Sequence, residues 1–263
     1  RKMMNLLNRI VTKINKDGLL SLILAIILLP FTFKERIKQK EKKSDLNLIT
    51  EKATLKERFN LIHANNFWES KESLSGYGSE IHYTEKLRNW MIDVLPEYQI
   101  KRLTDAPCGD FNWMKLVVSE IEIEYQGFDI VDSLIKNNNA LYRSDKVQFD
   151  IANICEDKLP DCDLLMVRDC LFHLSYSDIN KFLKNIANVN YKYLLTTTHM
   201  LDKKFVNKDI KSANFRLIDL FKEPFNFDSK KVINRVDDFP IEESDAREMI
   251  LICKPDVPKF IKY

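Results

Sequence analysis

From Ile100 onward, short apolar runs alternate with stretches whose apolar residues recur at helical spacing. That alternation predicts a mostly parallel sheet covered by helices. Ahead of it, Leu87, Trp90, Met91, Val94 and Leu95 fall at i, i+3, i+4, i+7 and i+8, the stripe of a helix opened by Thr84 and closed by Pro96. Strands are expected at 100–105, 124–129, 147–151, 163–169 and 191–198. The fourth, DLLMVRD, is apolar without a break in its middle, as a strand buried on both faces must be. Helices are expected from Trp113 to about Ser119 and through Leu134, Ile135, Leu141 and Tyr142. Another follows Ser177, whose hydroxyl would cap a stripe of Ile179, Phe182, Leu183, Ile186 and Val189. KVINRVDDFP and AREMILICKP read as two closing strands joined by the charged turn IEESD.

The N-terminal quarter follows a different pattern. Residues 18–33, GLLSLILAIILLPFTF, carry no charge and are flanked by Arg9, Lys13 and Lys16 before and by Lys34, Arg36, Lys38, Lys40, Lys42 and Lys43 after. A spanning helix wants about 20 apolar residues. This shorter run, apolar all round, suits a membrane anchor or in-plane segment, with a buried helix as the alternative. No small-x-small cleavage site follows Phe33. The expected division is therefore a hydrophobic anchor helix at 1–33, a charged linker at 34–54 and a folded domain at 55–263, at the cytoplasmic face of a membrane or in the cytoplasm.

Composition narrows the function. Lys and Arg number 41 against 39 Asp and Glu, so the formal charge of +2 gives no whole-chain field for nucleic acid, and none is expected as a partner. Five cysteines with no C-x-x-C spacing argue against a disulfide framework or a zinc cluster and for a reducing compartment. Asp161, Asp163 and Asp169 form no metal set, and no metal is assigned. Only 5 glycines occur in the chain, so their gathering at Gly76 and Gly78 and at Gly109 marks backbone with special demands.

In open sheets of this kind, ligands sit beyond the carboxyl ends of the strands, where strand order reverses. The first strand ends in Asp105, Cys108, Gly109 and Asp110, the second in Asp129, the third in Asp150, and the fourth in Arg168 and Asp169, with His173 a few residues on. Acidic groups dominate the first three ends. They would repel a phosphate and hold a cationic ligand bearing ribose hydroxyls.

The run LTDAPCGD, followed by the Asp129 of GFDI and by FDI at 149–151, resembles the class I S-adenosylmethionine-dependent methyltransferases. Asp105 and Gly109 match the acidic and central glycine positions of that family's D-x-G-x-G-x-G loop, whereas Pro107 and Phe111 replace its outer glycines. DAPCGDFNWM, SLSGYGS at 73–79, VRDCLFHLS at 167–175, LLTTT at 194–198 and RLIDLFKEPFNF at 216–227 look like a bacterial and viral subgroup associated with glycan modification. The resemblance implies an α/β, Rossmann-like, doubly wound, mostly parallel seven-stranded sheet with helices on both faces and an antiparallel C-terminal hairpin, and S-adenosyl-L-methionine as cofactor. It also implies site roles. Asp105 would face the methionine ammonium, Gly109 would let the backbone approach the amino-acid end, and Asp129 would take both ribose hydroxyls, with Ala106, Cys108, Asp110, Trp113 and Ile130 also binding the cofactor. Asp150 and Ile151 would hold the adenine edge, Arg168 would position the cofactor or a neighbouring carboxylate, and Gly78 and Ser79 would lie across the pocket in a lid.

Methyl transfer from a sulfonium needs alignment and, for a hydroxyl acceptor, a base. His173 is the expected base, with Asp169 orienting it or facing the hydroxyl, and His199 is a second candidate. RDCL stands where amino-group methyltransferases carry [DN]-P-P-[YF], which disfavours base or glutamine N-methylation. The expected reaction is O-methylation of a sugar hydroxyl on a glycan or its lipid-linked precursor. The alternatives are a lipid or small-metabolite acceptor, or a catalytically silent cofactor-binding scaffold.

Overall fold

The computed structural model describes residues 44–238 and 245–263. Contacts divide the chain into Arg1–Leu48 and Ile49–Tyr263. Of the first unit, the described residues 44–48 are helical. In the second, buried Ile49 packs with Ile62 and Ala213.

Among the described residues of this second unit, the elements from Leu55 onward comprise five α-helices and seven strands. In chain order they are α1 (Leu55–Ala64), α2 (Glu85–Glu97), β1 (Arg102–Asp105), α3 (Met114–Glu120), β2 (Glu124–Asp129), α4 (Asp132–Tyr142), β3 (Val147–Ile151), β4 (Leu164–Val167), α5 (Tyr176–Ala187), β5 (Tyr193–His199), β6 (Val232–Asp237) and β7 (Arg247–Cys253). The strands form one sheet in the order β3-β2-β1-β4-β5-β7-β6. The first five run parallel, and β7 lies antiparallel between β5 and β6. The expected α/β, mostly parallel seven-stranded architecture with an antiparallel C-terminal pair is the one observed. The turn expected between β6 and β7 falls largely on 239–244, outside the described residues.

Side-chain alternation explains the two layers of core. Along β4, Leu165 and Val167 point to one face, where they meet Ile179, Phe182, Leu183 and Ile186 of α5. Leu164 and Met166 point to the other, where they meet Leu87, Met91 and Leu95 of α2 and Met114 and Val117 of α3. The same period of two sends Ile250 and Ile252 of β7 to the α5 side and Met249 and Leu251 to the α2 side. Truncating a fully buried ring such as Phe182 to alanine would cost about 3–5 kcal/mol. Strand order reverses between β1 and β4, so their carboxyl ends diverge and open a crevice there.

Two local expectations are corrected. The cap of α5 is Ser175, whose hydroxyl accepts from the Asp178 amide, and not Ser177, which lies inside the first turn. Pro96 does not end α2, which continues to Glu97. The membrane anchor is corrected as well: no helix among the described residues is long and apolar enough to cross a membrane. That finding stands against the expected placement at the cytoplasmic face of a membrane; residues 18–33, on which the expected hydrophobic helix falls, lie outside the described residues.

Candidate active site

The crevice at the β1–β4 switch point is a cavity of about 270 Å³. Its floor is the loop after β1. Gly109 has φ +56°, and a Cβ there would overlap the Ser75 hydroxyl. Phe111, where the family motif has glycine, also adopts a left-handed φ of +59°. Its ring is held by Tyr125, Tyr142 and Phe149 at centroid distances of 4.9, 5.3 and 5.0 Å, and this packing offsets the backbone cost that a glycine would avoid.

Two buried carboxylates face the cavity. Asp129 accepts from the Gly109 amide at 3.1 Å and from the Val131 amide at 2.9 Å, which ties the β1 loop to the end of β2. Burial pushes its pKa up to about 6, against the opposing pull of those amides. Asp105 accepts the Tyr125 hydroxyl on Oδ2 at 2.7 Å, while its Oδ1 is buried with no partner. Burial pushes its pKa up to about 8, although the Tyr125 bond and Arg168 work the other way. A buried carboxylate with a vacant oxygen on a pocket wall is suited to a cation.

Not every expected residue reaches this cavity. Cys108, Gly109, Trp113, Asp129, Ile130, Arg168, Gly78 and Ser79 line it, as do Asp105, Asp169 and His173. Asp150 and Ile151 do not: both are exposed at the end of β3. The chain turns inward one residue later, where the Ala152 amide donates to the Asp129 carbonyl at 3.0 Å, so that Ala152, Asn153 and Ile154 form the wall instead. Ala106 is buried beneath the loop, its amide donating to the Met166 carbonyl at 3.0 Å. Asp110 points away from the cavity. Its carboxylate accepts from the Ser73 hydroxyl at 2.9 Å and the Leu74 amide at 2.8 Å, clamping the 73–79 segment to the β1 loop.

That segment covers the cavity. Ser75, Gly76, Tyr77, Gly78 and Ser79 all line it. The Gly78 carbonyl accepts from Arg168 Nη2 at 2.6 Å, and Arg168 in turn makes a two-pronged pair with Asp238 at 2.8 and 3.0 Å. Arg168 therefore anchors the covering segment to the sheet. A Cβ on Gly78 would stand 2.6 Å from Arg247 Nη2 and 2.7 Å from Asp169 Oδ2, so the segment lies directly on that ion pair and a side chain there would displace one or the other.

The far end is built from rings. The His173 ring lies 4.6 Å from Phe172, 5.9 Å from Phe215 and 6.0 Å from Trp68. His173 Nδ1 is 2.9 Å from the Asn214 carbonyl. A carbonyl only accepts, so Nδ1 carries the proton and Nε2 holds a free lone pair. Burial lowers the His173 pKa. Asp169 makes no hydrogen bond to His173, contrary to the orienting role expected for it. It pairs with Arg247 Nη2 at 2.9 Å, and its amide donates to Thr197 Oγ1 at 2.9 Å. Burial alone would raise its pKa, yet Arg168 and Arg247 hold it down at about 2. His199 is a core residue, its Nδ1 beside the Ile218 backbone and its pKa lowered to about 4 by burial. Burial pushes the Cys170 thiol well up, which disfavours the thiolate that a nucleophile needs.

Trp68, Asn153, Phe215 and Arg247 line the cavity and were not singled out from the sequence. Of these only Arg247 left a trace, as a charged residue opening the apolar run of β7.

No family model matches the sequence, and no curated protein sequence does. Solved structures do resemble the fold. Magnesium protoporphyrin IX methyltransferase from Synechocystis PCC 6803, with bound S-adenosylhomocysteine, superposes with a TM-score of 0.53 at 9% identity, covering 76% of this chain and 97% of that one. A SAM-dependent methyltransferase from Leishmania major gives 0.52 at 16% identity over 80% and 82% of the two chains. Human N-acetylserotonin methyltransferase, in complex with S-adenosylmethionine, gives 0.46 at 12% identity, and the chain spans 55% of its length. The fold is that of the class I S-adenosylmethionine-dependent methyltransferases.

Proposed function

We propose that the chain is an S-adenosylmethionine-dependent methyltransferase acting on a hydroxyl of a small-molecule or lipid acceptor. The observation that carries this reading is that two buried carboxyls, Asp129 and Asp105, the latter with its Oδ1 buried and unpartnered, belong to the wall of one cavity at the sheet's switch point. Asp129 spends one acceptor site per oxygen on backbone amides and retains others for two ribose hydroxyls. Ile130, Val131, Ala152 and Ile154 offer an apolar slot for a nucleobase, and Asp105 a counter-charge for the methionine ammonium.

When bound, the cofactor supplies a methyl group already activated on a sulfonium. The protein's part is then to align the acceptor and take its proton. That part falls to His173, which lines the cavity and whose Nδ1 proton is held by the Asn214 carbonyl, leaving Nε2 as the acceptor. Arg168 holds the covering segment down through Gly78, which excludes water from the reacting end. The glycan hydroxyl expected from the sequence would ask for many hydrogen-bonding groups, and the ring-lined far end suits an apolar body better. Incubation with labelled S-adenosylmethionine and separate glycan, lipid and small-molecule extracts tests the reading. Label should enter the lipid or small-molecule fraction and not the glycan fraction. Calorimetry showing no cofactor binding would overturn it, and binding without turnover of any fraction would indicate a silent module.

A further inference from the structure

Resting on that reading, the geometry points to how the cofactor enters and leaves: we infer that residues 76–78 are a flap over the cavity, hinged at Gly76 and latched by Arg168, with Asp238 the positioning residue that sets the latch.

Three observations carry this. First, the covering segment is held unevenly along its length. Its beginning is tied to the β1 loop, where the Asp110 carboxylate takes the Ser73 hydroxyl and the Leu74 amide, and the Asp110 amide donates to the Ser75 hydroxyl at 3.0 Å. Its end is tied as well: Asn112 Nδ2 donates to the Ser79 carbonyl at 3.1 Å, and the Ile81 amide donates to Glu72 Oε1 at 2.8 Å. Between those ties, the link to the sheet is the bond from Arg168 Nη2 to the Gly78 carbonyl. Residues 76–78 can therefore rise while both shoulders stay down.

Second, the backbone at the first shoulder suits a hinge. Gly76 has φ +95° and ψ 176°, a conformation open essentially to glycine alone. With Gly78 on its other side, Tyr77 is carried between two residues that have no side chain to restrain rotation. Tyr77 is itself 53% exposed, so raising it disturbs little of the core.

Third, the latch opens without stranding a charge. Arg168 and Asp238 are both buried, and the carboxylate takes the guanidinium through Nε at 2.8 Å and Nη2 at 3.0 Å. The same planar cation lies over the Trp113 ring at 5.1 Å. Both contacts survive departure of the Gly78 carbonyl, so opening breaks one charge-assisted hydrogen bond and no ion pair. Asp238 thus fixes the place to which the flap returns. Asparagine there would present an amide NH₂ to one prong of the fork and turn it away from Gly78.

Size calls for such an opening. A cavity of about 270 Å³ falls below the roughly 300–1,000 Å³ of sites for ligands of this kind, so passage of a nucleoside cofactor needs the cover to move.

Stopped-flow fluorescence of Trp68 and Trp113, which line the cavity, follows S-adenosylhomocysteine binding to the full chain. In the wild type the observed rate should level off as ligand rises, at the flap's opening rate. Asp238→Asn should raise that plateau about tenfold while the calorimetric Kd stays within about threefold, because the latch closes with or without ligand. Lys86→Ala, which removes the surface pair with the neighbouring Asp237, should leave the plateau unchanged. Should Asp238→Asn fail to fold, Arg168→Lys takes its place with the same expectation, since an ammonium cannot serve both prongs and Gly78 together. A wild-type rate that stays linear in ligand concentration would overturn the flap while leaving methyl transfer standing. So would a weaker Kd at an unchanged plateau, which would mark Asp238 as merely structural. Failure of S-adenosylhomocysteine itself to bind would instead remove the underlying reading.

Discussion

Tyr125 donates its hydroxyl to Asp105 Oδ2 at 2.7 Å and so leaves Oδ1 as the one oxygen of that carboxylate free to meet a ligand. Because the pair is buried, the arrangement works against the empty protein and in favour of the cation-bound one.

A pH dependence follows. In the folded protein Asp105 titrates at about 8, against roughly 3.9 when unfolded. Between those values the native state holds a proton that the unfolded state lacks, so stability falls as pH rises from about 4 to 8. A bound cation reverses the preference, and cofactor affinity should rise from pH 6 to 8 with release of a proton. Asp105→Asn should raise the melting temperature at pH 8 by about 4 °C, roughly 1–2 kcal/mol for a chain of this size, and do little at pH 4.5. The same variant should bind S-adenosylmethionine at least about tenfold more weakly. Calorimetry in buffers of different ionisation enthalpy reads the proton, and thermal melts read the stability.

Asp129 has two duties that mutation can separate. Asp129→Ala leaves the Gly109 and Val131 amides unpaired and should cost about 1–3 kcal/mol for each buried group besides losing the cofactor. Asp129→Asn keeps one acceptor oxygen and should fold better, yet still bind S-adenosylhomocysteine at least about tenfold more weakly. Denaturant melts paired with calorimetry distinguish the two losses.

Gly78→Ala tests the contact between the covering segment and the ion pair beneath it. The added methyl meets Arg247 Nη2 and Asp169 Oδ2 at under 3 Å, so either the ion pair breaks its geometry or the segment lifts. We expect kcat/KM to fall about 10–100-fold with at most about 1 kcal/mol lost in stability, and amide exchange across 73–79 to quicken.

His173→Ala should lower kcat about 100-fold or more and leave cofactor affinity unchanged. Because burial lowers the histidine's pKa, the wild-type rate should be flat at neutral pH and fall only on the acid side of the ordinary imidazole range. A rate that His173→Ala leaves intact would assign the proton to another group.

The parts legible in the sequence are those written in short-range pattern. The unbroken apolar run of β4 and the stripe of α5 reported strands and helices directly, because burial on both faces or on one leaves a periodic trace. Asp105 and Asp129 were legible as strand ends. Asp150 misled because the same reasoning assumes that the strand end faces the ligand, whereas β3 turns into the cavity only at Ala152. Asp169 misled for another reason: its partner Arg247 is 78 residues away, and only the antiparallel insertion of β7 brings them together. Trp68 and Phe215 lie in irregular segments without period, so nothing local announces that they converge on His173.

The central claim is that the acidic rim at the β1–β4 crevice grips a cationic nucleoside. A crystal structure of the complex with S-adenosylhomocysteine tests it most directly. The account predicts both ribose hydroxyls on the Asp129 carboxylate and the amino group within reach of Asp105 Oδ1. A ligand lodged elsewhere, or seated with its ribose turned away from Asp129, would contradict it.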